Sequence, residues 1–568
     1  MAKREHWGSR IGFILAASGS AVGIGNIWKY PHMAGQNGGA AFTLVYLACI
    51  LIVGLSIVIA EFVIGRKTQL SPVGAFEKLA PGTNWKGVGL LGVASAFVIL
   101  SFYGVVGGWI IRYGYLAMMG GFSSLQPGIE VSFPQNTVID SHESFTVTKY
   151  ESLNNAQNVF QFSGDMVSVE ESIMAKDTAH NLVSLDSLSI IVKDITYSQS
   201  KEGKIVGYEK IDFFNSSNSS VDLSDIVLKS NSDAAHKEFK SFHTSTWNPI
   251  FWQILFMALC VWVIVNGVKG GIEKWSKIMM PLIVVLLAVL AVRGMTLAGG
   301  MKGISFLFNP RFEDLTASAI VLALGHSFFT VSLGMGTMIT YGSYLDRKQN
   351  LLNSALWVIA LDTAIAMLAG IAIFTTVFAL GANPAEGPGL IFVVLPSVFP
   401  QLAAGTLWGT LFFVLLFMAA LTSAISILEV VTAYFIDQKG WSRKKATIQF
   451  GAVITVVGIF CSFSLGGGIN ITEFLGISFF DAVDYLSSKY MLPLGGMFTA
   501  VFVLKKWRVP NFFNELKNGL EIINLSEGTV KVLFEVLILF LLSIAAGVVA
   551  FIIFNEIYSK IVGVALIG

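Results

Sequence analysis

About eleven apolar stretches, each long enough to cross a bilayer core, recur along the 568 residues, and no other feature constrains the fold as strongly. They run approximately over 11–34, 40–64, 88–119, 249–267, 275–295, 317–341, 353–380, 405–436, 445–464, 480–504 and 531–556. In hydrocarbon every backbone polar group must be satisfied within the protein, so segments of this length read as helices. Composition agrees: 54% of residues are hydrophobic and 13% charged, with a mean hydropathy of +0.70. The expectation is an all-α polytopic membrane protein of the cell membrane. A net charge of +1 provides no field to attract nucleic acid. Cys49, Cys260 and Cys461 all lie in apolar segments and imply no disulfide framework.

Basic residues gather at alternate connections: Arg4 and Arg10, Arg66 and Lys67, Lys274 and Lys277, Arg347 and Lys348, Arg443 and Lys444, Lys505 and Lys506. The positive-inside rule makes these cytoplasmic. The opening "MAKREHWGSR" precedes an apolar run far longer than a signal-peptide core and reads as retained and cytoplasmic. An odd number of spans then puts the C-terminus outside. Residues 1–120 hold the first three spans, 121–246 an external insertion, 249–510 spans four to ten, and 511–568 a connector and the eleventh span. Within the insertion, "SLSIIVKDITYS" and "GKIVGYEKIDFF" alternate as strands do, and "NSSNSSVDLSD" is turn-rich. A small β-rich external unit is expected there rather than a disordered loop.

The first span contains "AVGIGN" (21–26), and the sixth contains "SLGMGT" (332–337). Both read small, apolar, Gly, apolar, Gly, polar. A similar unit that starts five spans later enters the membrane with the opposite orientation, the inverted-repeat arrangement of many secondary transporters. Paired glycines weaken a helix by about 1 kcal/mol each relative to alanine, and a break at membrane depth persists only where it lines a protein cavity. Freed amides at such a break can hold an anion and freed carbonyls a cation. Close packing between helices is the alternative use of such glycines, but two matched motifs flanked by intramembrane polar residues favour a binding site.

The segments "REHWGSRIGFILAASGSAVGIGNIWKYP", "GHSFFTVSLGMGTMITYGSY", "ALTSAISILE" and the "GWIIRYG" following "SFYGVVG" resemble the neurotransmitter:sodium symporter family, in its bacterial branch of leucine and multihydrophobic amino-acid carriers. The resemblance covers about 3–120 and 249–510. It departs at 121–246, where bacterial members have a much shorter loop, and in ending after about eleven spans rather than twelve. It implies two inverted five-helix repeats, unwound first and sixth helices, two sodium ions and an amino-acid substrate.

Carried over by motif, the resemblance gives the first sodium the carbonyls of Ala21 and Thr330, the side chains of Asn26 and Thr330, and Asp362. A carboxylate at membrane depth costs at least a few kcal/mol unless paired, and sodium would be its partner; a structural Asp362, bonded within the bundle, is the alternative. Because Asp362 supplies the negative charge itself, although Ala366 stands one turn on, chloride is not expected to be required. The second sodium takes the carbonyls of Gly19, Val22 and Ala419 and the hydroxyls of Thr422 and Ser423. For the substrate, the amides of Ile24 and Gly25 and the Tyr103 hydroxyl meet a carboxylate. Carbonyls of Ala21, Phe329 and Thr330, with Ser332, meet an ammonium. Ile99, Phe329, Met335, Ser423 and Ile427 line an uncharged side-chain pocket. Monoamine carriers of the family have an aspartate where this chain has Gly23, so an α-amino acid is favoured.

The resemblance also implies gates. Lys29 pairs with Asp484 outside, Asp481 being a competitor; Arg4 and Asp437, with Trp7 and Tyr344, close the inside. Phe329 and Tyr103 form an aromatic lid, Glu61 braces the unwound first helix, and His326 reads as a packing residue. A monomer or weak dimer is expected. The favoured reading is sodium-coupled uptake of a hydrophobic or aromatic amino acid by alternating access. A non-transporting receptor reporting through the external insertion is the rival. An enzyme is disfavoured, since no zinc-type His-Glu-x-x-His or nucleophile motif is present.

Overall fold

The computed structural model describes residues 5–125, 233–297, 299–379, 389–466, 477–519 and 529–562, with ten short strands between 128 and 231. Among the described residues, eight helices are long and apolar enough to span: Ala40–Thr68, Lys86–Met118, Asn248–Val265, Val268–Met295, Leu351–Ala379, Gly405–Lys439, Arg443–Phe463 and Glu535–Asn555. The other three expected spans are not single straight helices, each for a local reason.

The first is a pair, Arg10–Ala21 and Gly25–Gln36, bent by 52°. Its opening turn is fixed by Ser9, whose hydroxyl accepts the Gly12 amide at 3.0 Å. It ends at Val22, whose backbone turns extended just before Gly23. The sixth comprises Ala317–Thr330, capped by the Thr316 side chain, and Thr337–Gly342. Between them Ser332, Gly334 and Gly336 take φ of +51°, +78° and +77°. A side chain at Gly334 would run into the Leu492 carbonyl, so glycine is required there for space as well as for φ. The tenth is assembled from Phe479–Leu486, a π turn Ser487–Met491, Leu492–Val501 and a second π turn Phe502–Trp507. Pro493 lacks the amide that a regular helix would use at that place.

The two five-helix halves, spans one to five and six to ten, are related by inversion, with the break in the first helix of each. Lys86–Met118 and Gly405–Lys439 are the most enclosed spans, 67% and 83% buried over their apolar windows, and pack against one another at the centre. Glu535–Asn555, 22% buried, faces outward. The chain forms two compact units, Met1–Phe122 with Phe239–Gly568, and Ser123–Glu238. In the second, the strands pair antiparallel in twos; Gly128–Ser132 lies against Val227–Asn231, and Thr196–Gln199 against Ile205–Lys210. The bundle resumes at Phe239, earlier than the expected boundary at 246. Aromatic contacts explain this: the Phe239 ring stacks on Phe392 at 5.3 Å and meets Trp109 edge-on at 5.4 Å.

Candidate functional site

The two breaks face a single cavity. Every residue expected on the substrate, from Ala21 through Tyr103 and Met335 to Ile427, lines it, together with Ser20 and Gly23. At its polar end the Ile24 amide points to the Tyr103 hydroxyl at 3.4 Å. Ser332, held left-handed, donates its hydroxyl to the Ser20 carbonyl at 2.8 Å and so ties the two breaks together. A Cβ at Gly23 would stand 2.6 Å from the Ser423 oxygen, so even alanine needs a shift of that side chain.

Thr330, in the cavity wall, belongs to a buried oxygen cluster behind it. The Asn26 amide donates to Asp362 Oδ1 at 2.8 Å and to the Asp362 carbonyl at 3.2 Å. The Thr330 hydroxyl lies 3.1 Å from Asn26 Oδ1 and 3.0 Å from Asp362 Oδ1, so its single proton is shared between the two acceptors. Asp362 is fully buried. The sequence pointed to these three residues but not to Tyr46, whose hydroxyl donates to Asp362 Oδ2 at 3.1 Å. Carbonyls, hydroxyls and one carboxylate form a hard-oxygen set suited to a hard cation.

A second oxygen cluster lies below the first break. The Ser423 hydroxyl is 3.3, 3.1 and 3.4 Å from the carbonyls of Gly19, Ser20 and Val22. Thr422 instead bonds back to Met418 and Ala419 on its own helix, the ordinary behaviour of a threonine in a membrane span.

On the side expected to face out, Lys29 Nζ lies 3.9 Å from Asp484 Oδ1 and 4.1 Å from the centre of the Phe329 ring. Ser478 caps the helix that carries Asp481: its hydroxyl accepts the Asp481 amide at 3.0 Å and lies 2.6 Å from Asp481 Oδ2, so that carboxylate is engaged within its own first turn. Of the residues expected to close the inside, Arg4 lies outside the described residues. Asp437 Oδ2 accepts the Ser71 amide at 2.6 Å. Trp7 donates to the Tyr341 carbonyl at 3.0 Å and packs edge-on against Tyr344, 6.2 Å between centroids. Tyr344 in turn donates to Glu429 Oε1 at 2.5 Å. Sequence reading overlooked Glu429: Arg443 grips it through two nitrogens, at 2.7 and 2.9 Å, and reaches Glu5 at 2.7 Å. The acid in "ALTSAISILE" was the available signal, because a buried intramembrane carboxylate requires a partner.

Glu61 corrects an expectation. It accepts the Gly334 amide at 2.8 Å and so braces the unwound sixth helix rather than the first. The arrangement follows the repeat: the acid of the second span serves the sixth helix, and Asp362 of the seventh span serves Asn26 of the first.

Two helices broken at matching places in inverted halves, with the polar groups of both breaks turned onto one cavity, define a secondary transporter of the broken-helix class. The chain belongs to the sodium:neurotransmitter symporter family, whose sequence profile matches residues 4–185 and 218–563. It is 33% identical over 517 residues to the uncharacterized sodium-dependent transporter YhdH of Bacillus subtilis (strain 168), covering 91% of each chain. The Drosophila melanogaster sodium- and chloride-dependent GABA transporter ine is 25% identical over 86% of this chain and 45% of its own length. Among solved structures, MhsT in complex with L-phenylalanine superposes with a TM-score of 0.71 at 37% identity, covering 97% of this chain and 100% of that one. The protein is therefore a multi-pass, sodium-dependent membrane transporter and not an enzyme.

Proposed function

We propose that the chain carries a hydrophobic or aromatic α-amino acid inward together with two sodium ions, by alternating access and without need of chloride. The observation that carries this reading is the junction of the Asp362–Asn26–Thr330 cluster with the cavity beneath Ile24, Gly25 and Tyr103. A substrate carboxylate received by the Ile24 and Gly25 amides and the Tyr103 hydroxyl lies against the first sodium, so ion and amino acid complete one another's coordination. Asp362 supplies the fixed negative charge there. Ala21, Asn26 and Thr330 complete that first site, and Gly19, Val22, Ala419, Thr422 and Ser423 hold the second ion. The ammonium meets the carbonyls of Ala21, Phe329 and Thr330, while Ile99, Met335 and Ile427 accept an apolar side chain. MhsT with bound L-phenylalanine supports the substrate class.

Lys29, Asp484 and Phe329 close the outer side. Trp7, Tyr344 and Asp437 close the inner one, with Arg4 beside them. Exposed ion pairs of this kind contribute only about 0–1 kcal/mol, which suits gates that must open. Each coupled charge gains about 2.3 kcal/mol per 100 mV of membrane potential, so two ions can drive strong accumulation. The test is a sodium titration of amino-acid binding to Asp362→Ala in detergent. The expected result is loss of sodium-dependent binding; an unchanged sodium midpoint contradicts the assignment.

A further inference from the structure

His326 has no place in the scheme above. It lies one turn before Thr330, is 3% exposed, and neither of its ring nitrogens has a hydrogen-bond partner among the described residues. A buried polar ring left unpaired is costly, so its place in the structure calls for a physical explanation. The ring lies against two tyrosines. Its centroid is 5.3 Å from that of Tyr46, tilted by 41°, and 6.5 Å from that of Tyr30, nearly parallel at 20°. Tyr30 and Tyr46 touch each other at 5.5 Å. The three rings come from three elements: the second half of the first span, the second span and the first half of the sixth. Tyr30 is pinned in turn, its hydroxyl bonded to Thr43 at 2.9 Å. Tyr46 ends this cluster with its hydroxyl on Asp362 Oδ2.

We propose that His326 is a positioning residue for the sodium-binding cluster: its ring, wedged against Tyr46 and Tyr30, sets the Tyr46 hydroxyl on the Asp362 carboxylate. The inference rests on the assignment of Asp362 to the first sodium. A tyrosine ring can swing about two side-chain torsions, and a buried neighbour at stacking distance removes that freedom. Loss of the wedge releases the Tyr46 hydroxyl, and Asp362 Oδ2 loses its donor. Outer partners of metal ligands change affinity by about 10- to 100-fold when removed. With no hydrogen bond at either nitrogen, the imidazole contributes shape, so another flat ring should serve.

The experiment is a sodium titration of amino-acid binding by the full-length protein in detergent, with His326→Ala, His326→Phe, Tyr46→Phe, the double variant Tyr46→Phe/His326→Ala, and Asp362→Ala. His326→Ala should raise the sodium midpoint by about tenfold, the lower end of that range, while substrate affinity at saturating sodium stays within about twofold. His326→Phe should return the midpoint to that of the parent. Tyr46→Phe should shift it as His326→Ala does, and the double variant no further, since one mutation has already removed what the other disturbs. An unshifted midpoint in His326→Ala, additive shifts in the double variant, or no rescue by phenylalanine would each overturn the inference. If Asp362→Ala abolishes binding while His326→Ala leaves the midpoint unchanged, the sodium site stands and the wedge falls. If Asp362→Ala leaves the midpoint unchanged, both fall.

Discussion

At the scale of single residues, selectivity turns on Gly23 and Met335. Gly23 supplies no acid to the cavity, and a Cβ there would stand 2.6 Å from the Ser423 oxygen; on the proposed reading the substrate brings the carboxylate, and tryptamine should fail to compete where tryptophan succeeds. Met335 is buried in the cavity wall. Its thioether can turn away from a large ring, whereas phenylalanine there fills that volume. Met335→Phe should weaken tryptophan or phenylalanine more than leucine, by about 1–3 kcal/mol, the usual cost of overpacking. Competition against one labelled amino acid in parent and variant measures it, and an unaltered leucine-to-tryptophan ratio removes Met335 from the pocket. Asp362 was legible through the resemblance, which carries the family's acidic or amide position of the seventh span onto the one acid in "VIALDTAIAMLAG". Tyr46 was not, because an aromatic in an apolar span looks like lipid-facing or core packing until the chain brings it to a partner 316 residues away.

At the scale of elements, the unwound sixth helix depends on backbone that only glycine adopts without strain. Gly334→Ala meets the Leu492 carbonyl and a φ of +78°, a combination costing at least about 1–3 kcal/mol. Gly270→Ala, where the added Cβ has no neighbour within 4 Å, is the control. The first should lower the melting temperature in detergent and reduce sodium-dependent binding; the second should leave both near the parent. Equal stability of the two variants would show that the break tolerates a side chain. The break itself was readable from the paired motifs "AVGIGN" and "SLGMGT", because spacing and residue type are local properties. Which break Glu61 braces was not readable: both lie at similar depth, and only tertiary packing aims the carboxylate at Gly334.

At the scale of the whole molecule, the residues that line the candidate site all belong to the helical unit, and none comes from Ser123–Glu238. Replacing residues 125–238 by a flexible linker, while keeping Phe239 on Phe392 and Trp109, should preserve sodium-coupled uptake; complete loss in a folded protein would give that unit a part in the cycle. The strand-like alternation of this segment was legible because period two is a local signal, whereas the resumption of the bundle at Phe239 depends on ring contacts that no local pattern encodes. The central claim is coupling, and uptake of a labelled hydrophobic amino acid by proteoliposomes tests it most directly. An inward sodium gradient should drive accumulation, an inside-negative potential should increase it, and replacing chloride by gluconate should leave it nearly intact. Uptake that continues undiminished with choline in place of sodium would contradict the account.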